Sequence, residues 1–420
     1  MKTQFSRAKL SRTLLSALTG GLLLSGAALA QSPVKLTIWL TGDPTEVKVL
    51  QTATNLYTKA HPNVTFAMQA IPWSDAHAKV LSAAAARQGP DIISGGLSWG
   101  IELGKLGGMV NLTKQYPAYA NEVKKTANPA ILKSVTSTDG QLYAAPYGLT
   151  VQLQFLRPDL LKAAGVNGAP KTWDQLTSAI AKVQATGKKG YMIQWGNLDW
   201  IGYFPFLYQA GGSLYDANCT KATINSPAGV KALNFMASLY NKYKLPTDAS
   251  PDLGGGLDNG NYPLGTSYST LNFDTAYPKM AGKWAISKLP AGPTGKSTSF
   301  IGGNVIGITS YSKNPDVAAD FLKTLYDPKV AEAVVKGADK AGVFFIPPVT
   351  NFTQYLNIPA DRKAALIAQL GDAAGPPNCN GWEASTPDVL KAIQSVILQK
   401  ADPKAALDQA AAVMNSNLKR

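Results

Sequence analysis

Val34-Lys35-Leu36-Thr37-Ile38-Trp39-Leu40 runs into Thr41-Gly42-Asp43-Pro44 and opens the folded part of the chain with a strand. Its apolar residues alternate as in a strand, and Gly-Asp-Pro stops it. Pro44 and Glu46 suit the start of a helix, and Leu50, Ala53, Tyr57 and Ala60 then repeat at helical spacing. His61-Pro62 ends that helix. Val64 to Met68 alternates again, an alanine-rich helical run follows, and Gly89-Pro90 leads into the short apolar strand Asp91-Ile92-Ile93. Strand, helix, strand, helix, strand is the order that requires crossovers, hence parallel pairing and an α/β lobe.

The later chain keeps the alternation. Thr172-x-x-Gln175 reads as a capping box opening a helix with Leu176, Ile180 and Val183. Ser226-Pro227, Asn314-Pro315 and Asp402-Pro403 each put a polar cap before a proline at the first helical position. Gly254-Gly255-Gly256 with Asn259-Gly260 marks a flexible loop. No internal repeat and no low-complexity linker divides the chain. Two lobes without a linker imply that the chain passes between them more than once.

The N-terminus reads as an export signal. Lys2, Arg7, Lys9 and Arg12 form a positive region, Leu14 to Leu24 an apolar core, and Ala28-Leu29-Ala30 a cleavage site. No cysteine sits there to carry a lipid. Removing these thirty residues lowers the formal charge from +14 to +10 and leaves a length suited to two domains. The basic residues are scattered, without the clustered footprint of nucleic-acid binding. Cys219 and Cys379 are the only cysteines. An even count in an oxidising compartment invites a disulfide, with two separate buried thiols as the alternative. Two cysteines and two histidines, His61 and His77, supply little for a transition-metal site.

Catalytic motifs fail on inspection. Gly96-Leu97-Ser98-Trp99-Gly100 matches G-x-S-x-G, but both histidines precede Ser98, the wrong order for an α/β-hydrolase. Gly292-Pro293-Thr294-Gly295-Lys296-Ser297 resembles a phosphate loop, yet Pro290 stands where its first glycine is required. Asp91, Asp199 and Glu383 are the carboxylates a glycosidase could use, at a separation the sequence does not fix. Trp195, Asp199, Trp200 and Tyr203 lie within nine residues. Aromatic faces stack on the C–H faces of sugar rings, and Asp or Asn bonds their hydroxyls.

Over the whole chain after residue 30 the sequence resembles the family 1 extracellular solute-binding proteins of ABC importers, which include maltose- and multiple-sugar-binding proteins. The landmarks are Leu36 to Asp43, His61-Pro62-Asn63-Val64, Gly89-Pro90-Asp91-Ile92, Asp139 to Tyr147, Pro158 to Val166 and Lys171 to Leu176. Gly211-Gly212, Leu289 to Pro293, Gly302-Gly303 and Asn314-Pro315 complete the series. Ser267-Tyr268-Ser269 stands where the family usually has a Trp, and Phe155-Leu156-Arg157 where relatives often have Tyr-Tyr-Asn.

The resemblance implies a two-lobed, type II periplasmic-binding fold with its ligand cleft between the lobes. The first lobe is expected at about 31–146 with 285–335, the second at about 147–284 with 336–420. It implies an exported, non-enzymatic subunit, soluble in the periplasm or outside the cell envelope. That subunit captures a di- or oligosaccharide by hinge closure and delivers it to the membrane permease. No cofactor, no metal and no nucleic acid are expected, and the chain is expected to act as a monomer. The implied ligand contacts are Asp43, Ser98, Trp99, Tyr147, Trp195, Asp199, Trp200, Tyr268, Gly303, Asn304, Trp382 and Glu383. Two alternatives stay open. One is a phosphorylated or anionic solute such as a glycerol phosphate, held by Arg157 or Lys283. The other is an exported carbohydrate-active enzyme.

Overall fold

The computed structural model describes residues 32–193, 199–247, 252–268 and 273–419, with only the backbone of Asp199 and Thr275. The segment read as an export signal and Trp195 lie outside the described residues. Ten strands are described: β1 (Val34–Thr41), β2 (Val64–Ile71), β3 (Ile92–Gly96), β4 (Ala145–Val151), β5 (Leu153–Leu156), β6 (Tyr191–Ile193), β7 (Leu264–Ser267), β8 (Ala285–Ser287), β9 (Ser299–Ile308) and β10 (Ala373–Ala374). They form two sheets, one in the order β10-β9-β3-β1-β2 with β4 also on β9, the other β6-β7-β5-β8.

The first sheet follows from the alternation noted above. Leu36, Ile38 and Leu40 of β1 are fully buried, and β1 pairs in parallel with β2 and β3, Val34 opposite Val64 and Ile38 opposite Ile92. Helices α1 (Thr45–Ala60) and α2 (Trp73–Ala86) are the connections that parallel pairing demands, and α3 (Trp99–Lys105) follows β3. α1 buries Val49, Leu50, Ala53 and Tyr57. β9 returns antiparallel beside β3, which the local pattern does not disclose.

Chain crossings between the sheets occur at three places. β4 and β5 are one run of chain broken at Gln152: before it the strand pairs with β9, after it with β7 and β8. The segment between β8 and β9 returns to the first sheet. β10 touches β9 beside Ser299 and Phe300, after which the chain enters the second lobe. The expected division shifts accordingly. β8 belongs to the second sheet. The segment after residue 335 first packs into the first core, through Ala338, Ile346, Val349, Phe352 and Leu356. Helix Pro328–Lys340 carries it there by docking on α1. The second core gathers helices Asp199–Gln209, Pro227–Asn241, Trp382–Gln399 and Pro403–Asn417.

Local capping is mostly as the sequence reads. Thr172, Ser226 and Asp402 accept from backbone N–H groups three residues on, while Asn314 makes no such side-chain bond. Gly254–Gly256 is not a loop but part of the short helix Leu253–Asp258. A methyl on Gly254 would sit 2.0 Å from the Tyr277 ring and one on Gly256 2.8 Å from Tyr262. These glycines serve close packing. Cys219 and Cys379 form a disulfide with Cα atoms 5.3 Å apart, stapling a loop of the second lobe to the approach of helix Trp382–Gln399. Among the described residues no helix is long and apolar enough to cross a membrane.

Candidate ligand-binding site between the lobes

The carboxyl ends of β1 and β3 open at one edge of the first sheet, where open α/β sheets place their ligands. Asp43, just past β1, is exposed and accepts from the Thr45 backbone (2.7 Å) and hydroxyl (2.6 Å). Glu46, in the first turn of α1, was not among the sequence candidates. Its carboxyl is pushed up to about 7, first by burial and then by the charge of Asp43. The Glu46 charge in turn reaches Tyr147 on β4, whose hydroxyl is raised well above its ordinary value chiefly by burial. Tyr147 is buried, its hydroxyl has no hydrogen-bond partner among the described residues, and its ring lies 5.4 Å from that of Phe345.

Gly303 and Asn304 occupy the middle of β9, between β3 and β4. Gly303 has φ +132°, and a side chain there would meet the Gly148 carbonyl at 2.1 Å. Only glycine lets β4 and β9 approach this closely. Asn304 faces Gly96 on one side and Gly148 on the other, and its amide nitrogen donates to the Thr41 carbonyl at 3.4 Å.

Ser98 and Trp99 follow β3 at the start of α3. The Trp99 ring lies against Gly95, where a methyl would come within 2.2 Å of it. Trp73 meets this ring edge-on at 5.6 Å, and His77 lies tilted 4.7 Å away. Trp73 is 47% exposed. His77 Nε2 and Glu102 Oε2 are 2.7 Å apart, a helix-to-helix ion pair when His77 is protonated.

Across the gap stands Glu383, at the start of helix Trp382–Gln399. It accepts from the Ser98 hydroxyl and from the Trp99 indole. Burial raises its carboxyl above the ordinary range. The bonds from Ser98 and Trp99 and the charge of His77 oppose this, and the charge of Glu102 adds to it. Burial lowers His77, but the bond and charge of Glu102 outweigh it, so the imidazole is held above its ordinary value.

The second-lobe aromatics divide in two. Trp200 is half-buried and meets Trp382 edge-on at 5.7 Å and Phe300 at 5.7 Å. Trp382, expected as an open platform, is 2% exposed and packed by Trp200, Phe204 and Tyr215. Its faces are spent on the core. Tyr268, just past β7, is half-buried against the second core. The Asp199 side chain lies outside what is described.

The structure therefore brings Ser98, Trp99 and Glu383 into direct contact. It sets Asn304 and Gly303 on the strand between β3 and β4, and Asp43 at the end of β1. Trp73, His77, Glu102 and Glu46 were missed. Trp73 and His77 sit at i and i+4 of one helix, a spacing that puts them on one face and was a usable signal.

Two of the catalytic candidates, Asp91 and Ser98, and the two anion-binding candidates, Arg157 and Lys283, have other partners. Asp91 binds the Thr37 backbone and hydroxyl and the Ser312 hydroxyl, fastening β1 to the loop after β9. Ser98 donates to a carboxylate rather than to an imidazole. Arg157 is buried, forked onto Asp159 and bonded to the Leu257 carbonyl. Lys283 donates to the Lys279 carbonyl on the surface. Among the described residues no group of three His, Cys, Asp or Glu is disposed to hold a metal ion.

Comparison with known proteins identifies the family. A probable ABC transporter-binding protein of Deinococcus radiodurans is 31% identical over 337 residues, covering 71% of this chain and 73% of that protein. The lactose-binding protein of Rhizobium radiobacter is 26% identical and covers 76% of each. An ABC transporter solute-binding protein of Thermotoga lettingae, solved with bound α-D-tagatose, superimposes with a TM-score of 0.79 at 24% identity. That superposition covers 91% of this chain and 99% of that one, and at this identity it shows the fold. The family model of the bacterial extracellular solute-binding proteins matches residues 41–332. The chain belongs to the bacterial extracellular solute-binding protein family.

Proposed function

We propose that this protein is the exported ligand-capturing subunit of an ABC importer and that its ligand is a carbohydrate of two or more rings. The observation that carries the reading is the seam at Ser98, Trp99 and Glu383. There, aromatic surface and hydroxyl-bonding groups from both lobes meet at the carboxyl edge of the first sheet. A sugar entering the seam would exchange the Ser98–Glu383 contact for bonds from its own hydroxyls. It would stack its C–H faces on the indoles of Trp73 and Trp200, and on Trp99, 7% exposed with the lobes together, where its entry uncovers that ring. Asp43, Asn304, Tyr147, Tyr268 and the Gly303 backbone are the further contacts in this reading. Ligand favours the closed arrangement because only there do both lobes touch it, and the three strand crossings are the hinge. The importer's permease subunits then read the closed shape.

The sugar names of relatives such as the lactose-binding protein support this ligand class. An anionic solute fits less well, since Arg157 already spends its charge on Asp159. Export with cleavage near Ala30, action as a monomer and absence of turnover belong to the same reading. The test is a thermal-shift screen of the purified protein against mono-, di- and oligosaccharides and glycerol phosphates, because a ligand that binds the native state raises the melting temperature. Stabilisation by a sugar with no product formed is the expected result. Stabilisation by phosphates alone, or release of sugar products, would overturn it.

A further inference from the structure

Glu383 belongs to the second lobe, whereas Ser98, His77 and Glu102 belong to the first. The contact between Ser98 and Glu383 joins residues 285 apart in the chain and exists only while the lobes are together. The 2.7 Å pair of His77 and Glu102 connects α2 to α3 within the first lobe and survives opening. Closure therefore carries one carboxylate out of water and up to a histidine that already has a carboxylate of its own. We propose that His77 and Glu102 are a positioning pair that sets the charge on Glu383, so that closing the lobes on the ligand takes up a proton. This rests on the reading of the seam as the ligand site.

The sign follows from the surroundings. In the open state Glu383 would stand in water with an ordinary carboxyl. In the closed state burial raises it and Glu102 raises it further; the Trp99 bond, the charge of His77 and one hydroxyl bond, from Ser98 or from the sugar that displaces it, only partly oppose this. An acid whose pKa is higher in the closed state binds more proton there, between its ordinary and its raised value. Closure is then favoured by low pH and opposed as pH rises through the raised value.

The remaining charged groups nearby do not reverse the sign. On α2, Asp75 is exposed and Lys79 sits over the Trp39 ring; on α3, Lys105 is exposed. Asp388 and Lys391 lie beyond the first turn of the helix that carries Glu383. Of the helices packed on it, Pro227–Asn241 has Lys231 exposed, and Pro403–Asn417 pairs Lys404 with Asp408. Helix Asp199–Gln209 begins with Asp199, whose side chain is not described.

Two variants distinguish this from a merely structural role, because they act in opposite directions. Glu102→Gln leaves His77 facing Glu383 without a competing carboxylate, which lowers the Glu383 carboxyl and flattens the pH dependence. His77→Gln leaves Glu102 uncompensated, which raises it and steepens the dependence. The experiment is calorimetric titration with lactose, maltotriose and diacetylchitobiose between pH 5 and 8.5, repeated in buffers of different ionisation enthalpy to count protons. For the wild type, affinity is expected to fall several-fold as pH rises, with about tenfold per pH unit the ceiling for one proton. Fractional proton uptake should accompany binding, and Glu383→Gln should show neither effect. PH-independent binding by the wild type, or a shift of the profile in the same direction by both pair variants, would overturn the proposal.

If none of these sugars binds, the ligand reading fails while the latch stays testable. Spin labels at Leu106→Cys and Leu398→Cys, exposed positions on the first and second lobes, report the separation in ligand-free protein. A closed population that grows on acidification supports the latch, and one indifferent to pH overturns it.

Discussion

The two walls of the cleft use tryptophan in opposite ways. On the first lobe Trp99 is buried against Gly95, 7% exposed, and Trp73 beside it is 47% exposed. On the second, Trp382 is 2% exposed inside a cage of Trp200, Phe204 and Tyr215. The first wall leaves one indole, Trp73, largely open, while the second packs Trp382 into its own core and leaves Trp200 half-buried at the edge. In the proposed function the exposed rings serve the ligand and the buried ones serve stability.

The largest effect that would sharpen this contrast lies in the second lobe. Replacing Cys219 and Cys379 by Ser opens a link spanning 160 residues. Chain-entropy reasoning puts the loss at up to about 5 kcal/mol. Denaturant unfolding should show this cost, with the first lobe spared. Next comes Trp382→Ala, expected to cost about 3–5 kcal/mol as a large-to-small core change. Trp73→Ala should cost less than about 0.5 kcal/mol in stability, as an exposed site does, and weaken sugar binding instead. Equal stability losses for the two would break the contrast. Trp200→Ala should weaken sugar binding by about tenfold, the weight of one aromatic contact, which calorimetric titration measures.

The smallest expected effect is electrostatic. Glu46 has its carboxyl raised to about 7 by burial and by Asp43. A raised acid contributes most when neutral, so its share of stability is present below its ordinary pKa and lost as pH rises through about 7. Glu46→Gln should therefore raise the melting temperature at pH 8 and leave it nearly unchanged at pH 4, by about 1 kcal/mol or less after solvent screening. A gain at pH 4 instead would contradict the burial account.

Much of the scaffold was legible because its cues are local. The alternation of Leu36, Ile38 and Leu40 and the caps at Thr172, Ser226 and Asp402 act within a few residues. The candidate site could be read where it lies at the end of such an element, as Asp43, Ser98 and Trp99 do. It was illegible where it depends on distant chain. Nothing near Glu383 announces that Ser98 will meet it, and nothing near His77 announces Glu102. Trp382 misled because its loop-like approach and acidic neighbour suggest a platform, while its cage comes from helices more than 150 residues away. Gly254–Gly256 misled because glycine for close packing and glycine for mobility look the same in sequence. The lobe boundary moved because Val334 and Val335 commit helix Pro328–Lys340, and the chain after it, to α1.

In the proposed function a sugar is captured only when the two walls meet around it. The direct measurement is the Leu106-to-Leu398 separation by paired spin labels, with and without the sugar that most raises the melting temperature. A broad distribution that collapses to one short distance on saturation is expected, with Trp200→Ala requiring more sugar for the same collapse. A distribution that ignores a bound sugar would show that the ligand sits elsewhere and that closure is not the capture step.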